Sequence, residues 1–116
     1  MISCKRDSDS TTLSIEKVAI DSVNIARNTI AVSSSLQIIT FAKYKQGCEG
    51  FYGYDYQTSD FQRDIIAYKY KTDTNCGTEA QVTSMINFTP KQAGIYTLRF
   101  WKTDNQWIEK NIIVTE

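Results

Sequence analysis

The sequence predicts an all-β domain, an antiparallel β-sandwich of seven or eight strands. Three observations carry this expectation. Apolar residues recur with a period of two along almost the whole chain, which is the pattern of strands with one buried face. Turn-like segments such as Gly47-Cys48-Glu49-Gly50 and Asn75-Cys76-Gly77 separate the alternating runs. At 116 residues the chain suits one domain, large enough to bury roughly 65% of its unfolded surface without a metal or partner. So many short strands bury their apolar faces by stacking as two sheets.

Taken in order, a first strand is expected at Leu13 to Ile20 and a short one at Thr29 to Val32. In the next, Leu36, Ile38, Thr40, Ala42 and Tyr44 alternate with Gln37, Ile39, Phe41 and Lys43. Strands at Phe51 to Gln57 and Phe61 to Lys71 follow. Lys43 and Lys45, and Lys69 and Lys71, take alternate positions, where lysine solubilises a face or protects a sheet edge. Ala80, Val82, Ser84, Ile86 and Phe88 then alternate with Glu79, Gln81, Thr83, Met85 and Asn87. The last two strands, Ile95 to Thr103 and Trp107 to Thr115, form a hairpin.

Burial argues for a register in that hairpin. Tyr96, Leu98 and Phe100 make one apolar face, and Ile108, Ile112 and Val114 the other. A two-residue turn at Asp104-Asn105 would set Leu98 against Asn111 and Phe100 against Glu109, with polar groups inside. A three-residue loop, Asp104-Asn105-Gln106, opposes Tyr96 with Val114 and Leu98 with Ile112, and is preferred because a one-residue slip exchanges every face. Arg99, Trp101 and Trp107 then point outward, with Trp101 opposite Glu109 and diagonal to Trp107.

The segment Phe88-Thr89-Pro90-Lys91-Gln92-Ala93-Gly94-Ile95-Tyr96-Thr97-Leu98 resembles the E to F corner of immunoglobulin-like domains. In that family an Ala-Gly-x-Tyr sequence opens strand F, and the tyrosine hydroxyl bonds back to nearby backbone. Antibody domains carry a cysteine two residues after the tyrosine, where this chain has Leu98. The resemblance therefore implies an immunoglobulin-like fold without the antibody disulfide.

At the amino end, Met1-Ile2-Ser3-Cys4 resembles a bacterial lipobox, with Ser3 as the small residue before the cysteine and Met1 where leucine is usual. The resemblance implies lipidation at Cys4 and a basic, apolar signal segment just upstream. The run Lys5-Arg6-Asp7-Ser8-Asp9-Ser10-Thr11-Thr12 has no apolar period and suits a tether. Residues 1–12 are thus expected to be lipobox remnant and tether, and residues 13–116 the immunoglobulin-like domain. The implied location is the cell envelope, as an outer-membrane lipoprotein on its periplasmic or surface side. The membrane is then a partner through the several acyl chains of such an anchor, since no stretch approaches the roughly 20 apolar residues of a spanning helix.

With Cys4 set aside, Cys48 and Cys76 remain, each beside glycine in a turn. An even pair in an exported domain reads as a disulfide, whereas a reducing compartment would leave two thiols.

Several activities are excluded or disfavoured. Thirteen basic residues balance thirteen acidic ones with no long single-sign run, so nucleic acid is not an expected partner. The chain has no histidine and no C-x-x-C spacing, so neither a Ser-His or Cys-His nucleophile nor a metal site is expected. Ser14-Ile15-Glu16-Lys17 matches S-x-x-K by chance, lacking the helix and companion motifs of penicillin-recognising enzymes. Asp55, Asp60 and Asp64 are the carboxylates a glycoside hydrolase would need, but a thin sandwich offers them no cleft. No catalysis and no cofactor are expected.

Asp9-Ser10-Thr11 and Asp21-Ser22-Val23 resemble the O-glycosylation acceptor sequence of Bacteroidetes, and Asn87-Phe88-Thr89 fits the N-glycosylation pattern in a strand position that argues against its use. The expected function is that of a non-catalytic envelope lipoprotein, a structural or interaction module. The alternative is a glycan- or peptide-binding module in which Trp101, Trp107 and Tyr54 stack on the ligand and Arg99 orients it. Tyr52 and Tyr56, at strand period with Tyr54, would extend that platform.

Overall fold

The computed structural model describes residues 12–116. They form nine strands: β1 (Thr12–Val18), β2 (Ser22–Ile25), β3 (Thr29–Ala31), β4 (Leu36–Lys45), β5 (Glu49–Ser59), β6 (Gln62–Thr72), β7 (Glu79–Phe88), β8 (Gly94–Thr103) and β9 (Gln106–Thr115). Cys4, the acceptor pattern at Asp9-Ser10-Thr11 and the expected tether up to Thr11 lie outside the described residues, and Thr12 already belongs to β1.

The domain is all-β and sandwich-like, with a small antiparallel sheet in the order β2-β4-β7 and a six-stranded mixed sheet. The larger sheet is organised around β6. Strand β5 pairs along its whole length, while β8 lies parallel to Gln62–Ile65 and β1 antiparallel to Ala67–Thr72. Since β5 occupies one edge of β6, strands β8 and β1 share the other. Strand β9 continues the sheet from β8, and β3 closes it in parallel with β9.

Two expectations are corrected here. The strand count is nine, because Ser22-Val23-Asn24-Ile25 forms an edge strand too short to show a distinct alternation in the sequence. The sandwich is not wholly antiparallel. The β5–β6 hairpin places its return strand next to β8, and because β6 reverses the direction of β5, the contact is parallel.

The inward residues of both sheets form one core, in which Ile20, Leu36, Ile38, Ile65, Leu98, Phe100 and Ile112 are fully buried. Truncating one of these aliphatic side chains to alanine costs about 2–5 kcal/mol through lost transfer energy and the cavity left behind. The corner before β8 forms as its sequence implies. Tyr96 is buried, and its hydroxyl donates to the Gln92 carbonyl at 2.7 Å. Its ring meets Phe61 and Phe88 edge-on at 5.0 and 5.3 Å.

The terminal hairpin corrects the expected register. Tyr96 opposes Ile112, Leu98 opposes Lys110, Phe100 opposes Ile108 and Trp101 opposes Trp107. The turn is the two-residue Asp104-Asn105 that burial argued against, and a β-bulge on β8 between Trp101 and Thr103 resolves the conflict. The extra residue, Lys102, restores the parity that the short turn would have broken. The inward and outward faces are therefore as expected, while every pair is displaced by two residues along β9.

Candidate functional site

The outer face of the large sheet brings together most of the residues singled out in the sequence. On β8 the core takes Tyr96, Leu98 and Phe100, so Thr97, Arg99 and Trp101 face away from it. On β6 the core takes Ile65 and Ala67, which leaves Asp64, Ile66, Tyr68 and Tyr70 on the same outer side. Pairing adds Ile15 opposite Tyr70 and Lys17 opposite Tyr68 from β1, and Trp107 and Glu109 from β9. Ile66 is only 8% exposed although it stands outside the main core, so this face buries a small cluster of its own.

Arg99 organises one half of the face. Its Cζ lies 4.4 Å from the centroid of the Trp107 ring. Nη1 stands 3.6 Å from Asp64 Oδ1 and Nε 3.5 Å from Glu109 Oε2. At these separations the contacts are ion pairs, and the buried Nε has no hydrogen-bond partner among the described residues. Partial exposure limits each pair to about 0–1 kcal/mol, and a cation–π contact at such a site adds about 0.5–1 kcal/mol. Lys17 Nζ caps the second tryptophan, 5.1 Å from the Trp101 ring centroid. Both indoles are half-buried and each already carries a cation of the same chain. The two tryptophans predicted to be diagonal are thus a direct cross-strand pair.

Tyr54 is placed elsewhere. Its hydroxyl lies 2.7 Å from Thr40 Oγ1, between the two sheets, and its ring meets Phe51 edge-on at 4.9 Å. Burial raises its pKa, with hydrogen bonds to Thr40 and Ser84 pulling the other way. The cause is a β-bulge between Phe51 and Gly53. Residues three apart on a regular strand face opposite sides, but the extra residue, Tyr52, turns both Phe51 and Tyr54 inward. Tyr52 itself is left 61% exposed. Tyr54 thus points its hydroxyl into the interior and away from the tryptophan pair it was expected to join, while Tyr52 and Tyr68 stand next to it on the outer side.

The absence of a side chain at Gly53 opens a groove of about 390 Å³ lined by Ile15, Tyr52, Tyr54, Asp55 and Tyr68. A Cβ at Gly53 would meet no atom of the described residues within 4 Å. Gly50, three residues earlier, is the opposite case, because the Tyr70 ring fills the space a Cβ there would take.

The carboxylates weighed for hydrolysis have other engagements. Asp64 faces Arg99 and accepts from Gln62 Nε2, and Asp55 accepts from Gln57 Nε2. Asp60 sits in the β5–β6 turn, where its carbonyl accepts from Arg63 Nη1.

Cys48 and Cys76 form the expected disulfide, with S–S 2.00 Å, tying the β4–β5 turn to the β6–β7 loop. Beside it Glu49, whose side chain is 3% exposed, accepts the Lys45 amide at 2.8 Å and pairs with Lys69 at 3.0 Å. Burial would raise the Glu49 carboxyl, but the Lys45 amide and the Lys69 and Lys71 ammonium groups bring it below its ordinary value.

No family model, curated protein or solved structure matches this chain.

Proposed function

We propose that this chain is a non-catalytic interaction domain of the cell envelope, tethered through lipid on Cys4, that contacts a partner with the outer face of its six-stranded sheet. The observation that carries this reading is the composition of that face. Trp101, Trp107, Tyr52, Tyr68 and Arg99 share one side of one sheet, with Arg99 over the Trp107 ring and Tyr52 and Tyr68 lining one groove. Tryptophan, tyrosine and arginine are the residue types that dominate binding hot spots. Arg99 is already oriented by Asp64 and Glu109, which lowers the ordering cost of a contact made through it.

A glycan is the second reading, supported by the open groove over Gly53. Tyr68 and Tyr52 offer aromatic surface there and Asp55 an acceptor. The fold is read as immunoglobulin-like on the strength of the Tyr96 corner, with the parallel β6–β8 pair as a departure from the antibody pattern.

Titrating the chain with glycan and peptide panels while following tryptophan emission tests the outer face. A saturable response lost in Trp101→Ala supports it, and an unchanged response in that variant refutes it. Labelling of the full chain with a tagged fatty acid in a bacterial host tests the anchor. Label that persists in Cys4→Ser overturns it.

A further inference from the structure

Among the described residues five strands end a hydrogen-bonded ladder, and four of them carry features that discourage further pairing. Strands β2 and β3 have only four and three residues, β1 breaks register between Thr12 and Ser14, and β5 is bulged at Tyr52. Short, irregular and bulged edges resist addition of another strand. Strand β7 has none of these defences. Its ten residues pair with β4 without a shift from Glu79 to Phe88, they include no Pro, Lys or Arg, and their one charge is Glu79 at the start.

Beside β7 the sandwich is also unfilled. Val82 pairs with the core residue Ala42 yet is 40% exposed, and Met85 on the other face is 59% exposed. At the Phe88 end a cleft of about 550 Å³ opens between the sheets, lined by Tyr56 and Arg63 on one side and by Ile86, Phe88 and Pro90 on the other. Among the described residues its charged lining is Arg63 and Lys91, with no carboxylate. Arg63 is held in place, since Nη1 donates to the Asp60 and Gln62 carbonyls and Cζ lies 5.1 Å from the Tyr96 ring centroid. A guanidinium has five donors, so capacity remains for a ligand.

We propose that β7 takes up an extended segment of a partner protein as a fourth, antiparallel strand of the small sheet. Main-chain bonds to the free edge supply affinity, and side chains at alternate positions supply selectivity. The segment carries apolar residues at alternate positions, to cover Val82 and Ile86, and a carboxylate at its amino end that reaches Arg63 and Lys91. A lone strand suits the space better than a second folded copy, because Tyr56 of β5 and Arg63 of β6 already floor the cleft alongside β7. This site is separate from the outer face and does not depend on it.

The test uses the full chain and an acetylated, amidated peptide of alternating valine and threonine with aspartate at its amino end, followed by amide hydrogen exchange. Exchange at β7 amides is expected to slow by about tenfold or more at saturation, as for amides newly paired in a ladder. A lysine in place of the aspartate is expected to weaken binding by about tenfold, and Arg63→Gln to erase that preference. Val82→Lys, which sets a charge on the half-open inner face that the segment's apolar residues would cover, is expected to abolish binding, with an unchanged melting temperature showing that the fold is kept. Unchanged exchange at β7 overturns the proposal, as does equal binding of the aspartate and lysine peptides. Self-association of the free chain through β7 gives the edge to a second copy and also overturns it.

Discussion

The hydroxyls of Tyr54 and Thr40 meet at 2.7 Å in the interior, one from each sheet of the sandwich. Thr40 is 2% exposed and is a buried polar residue inside an otherwise apolar layer. Its hydroxyl was desolvated on folding, so its partner matters more than the net worth of an average hydrogen bond. Tyr54→Phe is expected to cost about 1–2 kcal/mol in urea unfolding, by leaving that buried hydroxyl short of a partner. Adding Thr40→Val should recover part of the loss. Additive costs in the double variant would show that the two hydroxyls are not coupled.

Arg99→Ala should uncover the Trp107 ring and leave Asp64 and Glu109 without their common cation. The expected cost is about 1–2 kcal/mol, from one cation–π contact and two partly screened ion pairs. Tryptophan emission should shift to the red. Arg99→Lys should not restore the parent spectrum, because an ammonium lacks the planar fork that stacks on an indole.

The disulfide spans 28 residues of sequence. In the chain-entropy picture, closing such a loop stabilises by roughly 3.5 kcal/mol. Denaturant midpoints of the oxidised chain and of a Cys48→Ala, Cys76→Ala double variant should differ accordingly. A difference below about 1 kcal/mol would assign the closure of this end to the ladder and the Glu49–Lys69 pair instead.

Stability should fall towards both acid and alkali. The Glu49 carboxyl is held below its ordinary value of 4.5, so its contribution is present above that pH and lost as pH falls through the folded value. Glu49→Gln should flatten the acid arm of a melting-temperature profile. Tyr44 is pushed up to about 12 by burial and by neighbouring Tyr54. Its contribution is complete below the unfolded value of 10.0 and lost as pH rises through about 12. Tyr44→Phe should move the alkaline arm to higher pH.

Gly53→Ala should be tolerated and raise stability by about 0.5 kcal/mol, since the new methyl meets open space and the unfolded chain loses freedom. Gly50→Ala should instead displace the Tyr70 ring. A ligand held in the groove over Gly53 would bind Gly53→Ala more weakly, so calorimetry of that variant separates the glycan reading from one centred on Trp101 and Trp107.

The strands and the cysteine pair were legible because their signals are local. An apolar period of two marks a strand wherever it lies, and the even pair of cysteines left in turn-like segments once Cys4 is set aside points to a bridge. The Tyr96 corner was legible for the same reason, its bond to Gln92 spanning only four residues. The bulges at Tyr52 and Lys102 have no comparable signal. Each inserts one residue against a partner strand, so its existence depends on what that partner must bury.

From the sequence alone followed an all-β chain, its longer strands, the two faces of β8 and β9, the disulfide pair and the cluster of Arg99 with two tryptophans. Tertiary structure alone decided that β6 lies beside β8, that Trp101 directly opposes Trp107, that Tyr54 turns inward to Thr40, and that β7, paired with β4, has no second strand on its other edge among the described residues. Alternation tells each residue which side of its own strand it occupies. Which strand lies beside it, and in what register, is a property of pairs far apart in sequence and is set by the burial of both sheets together.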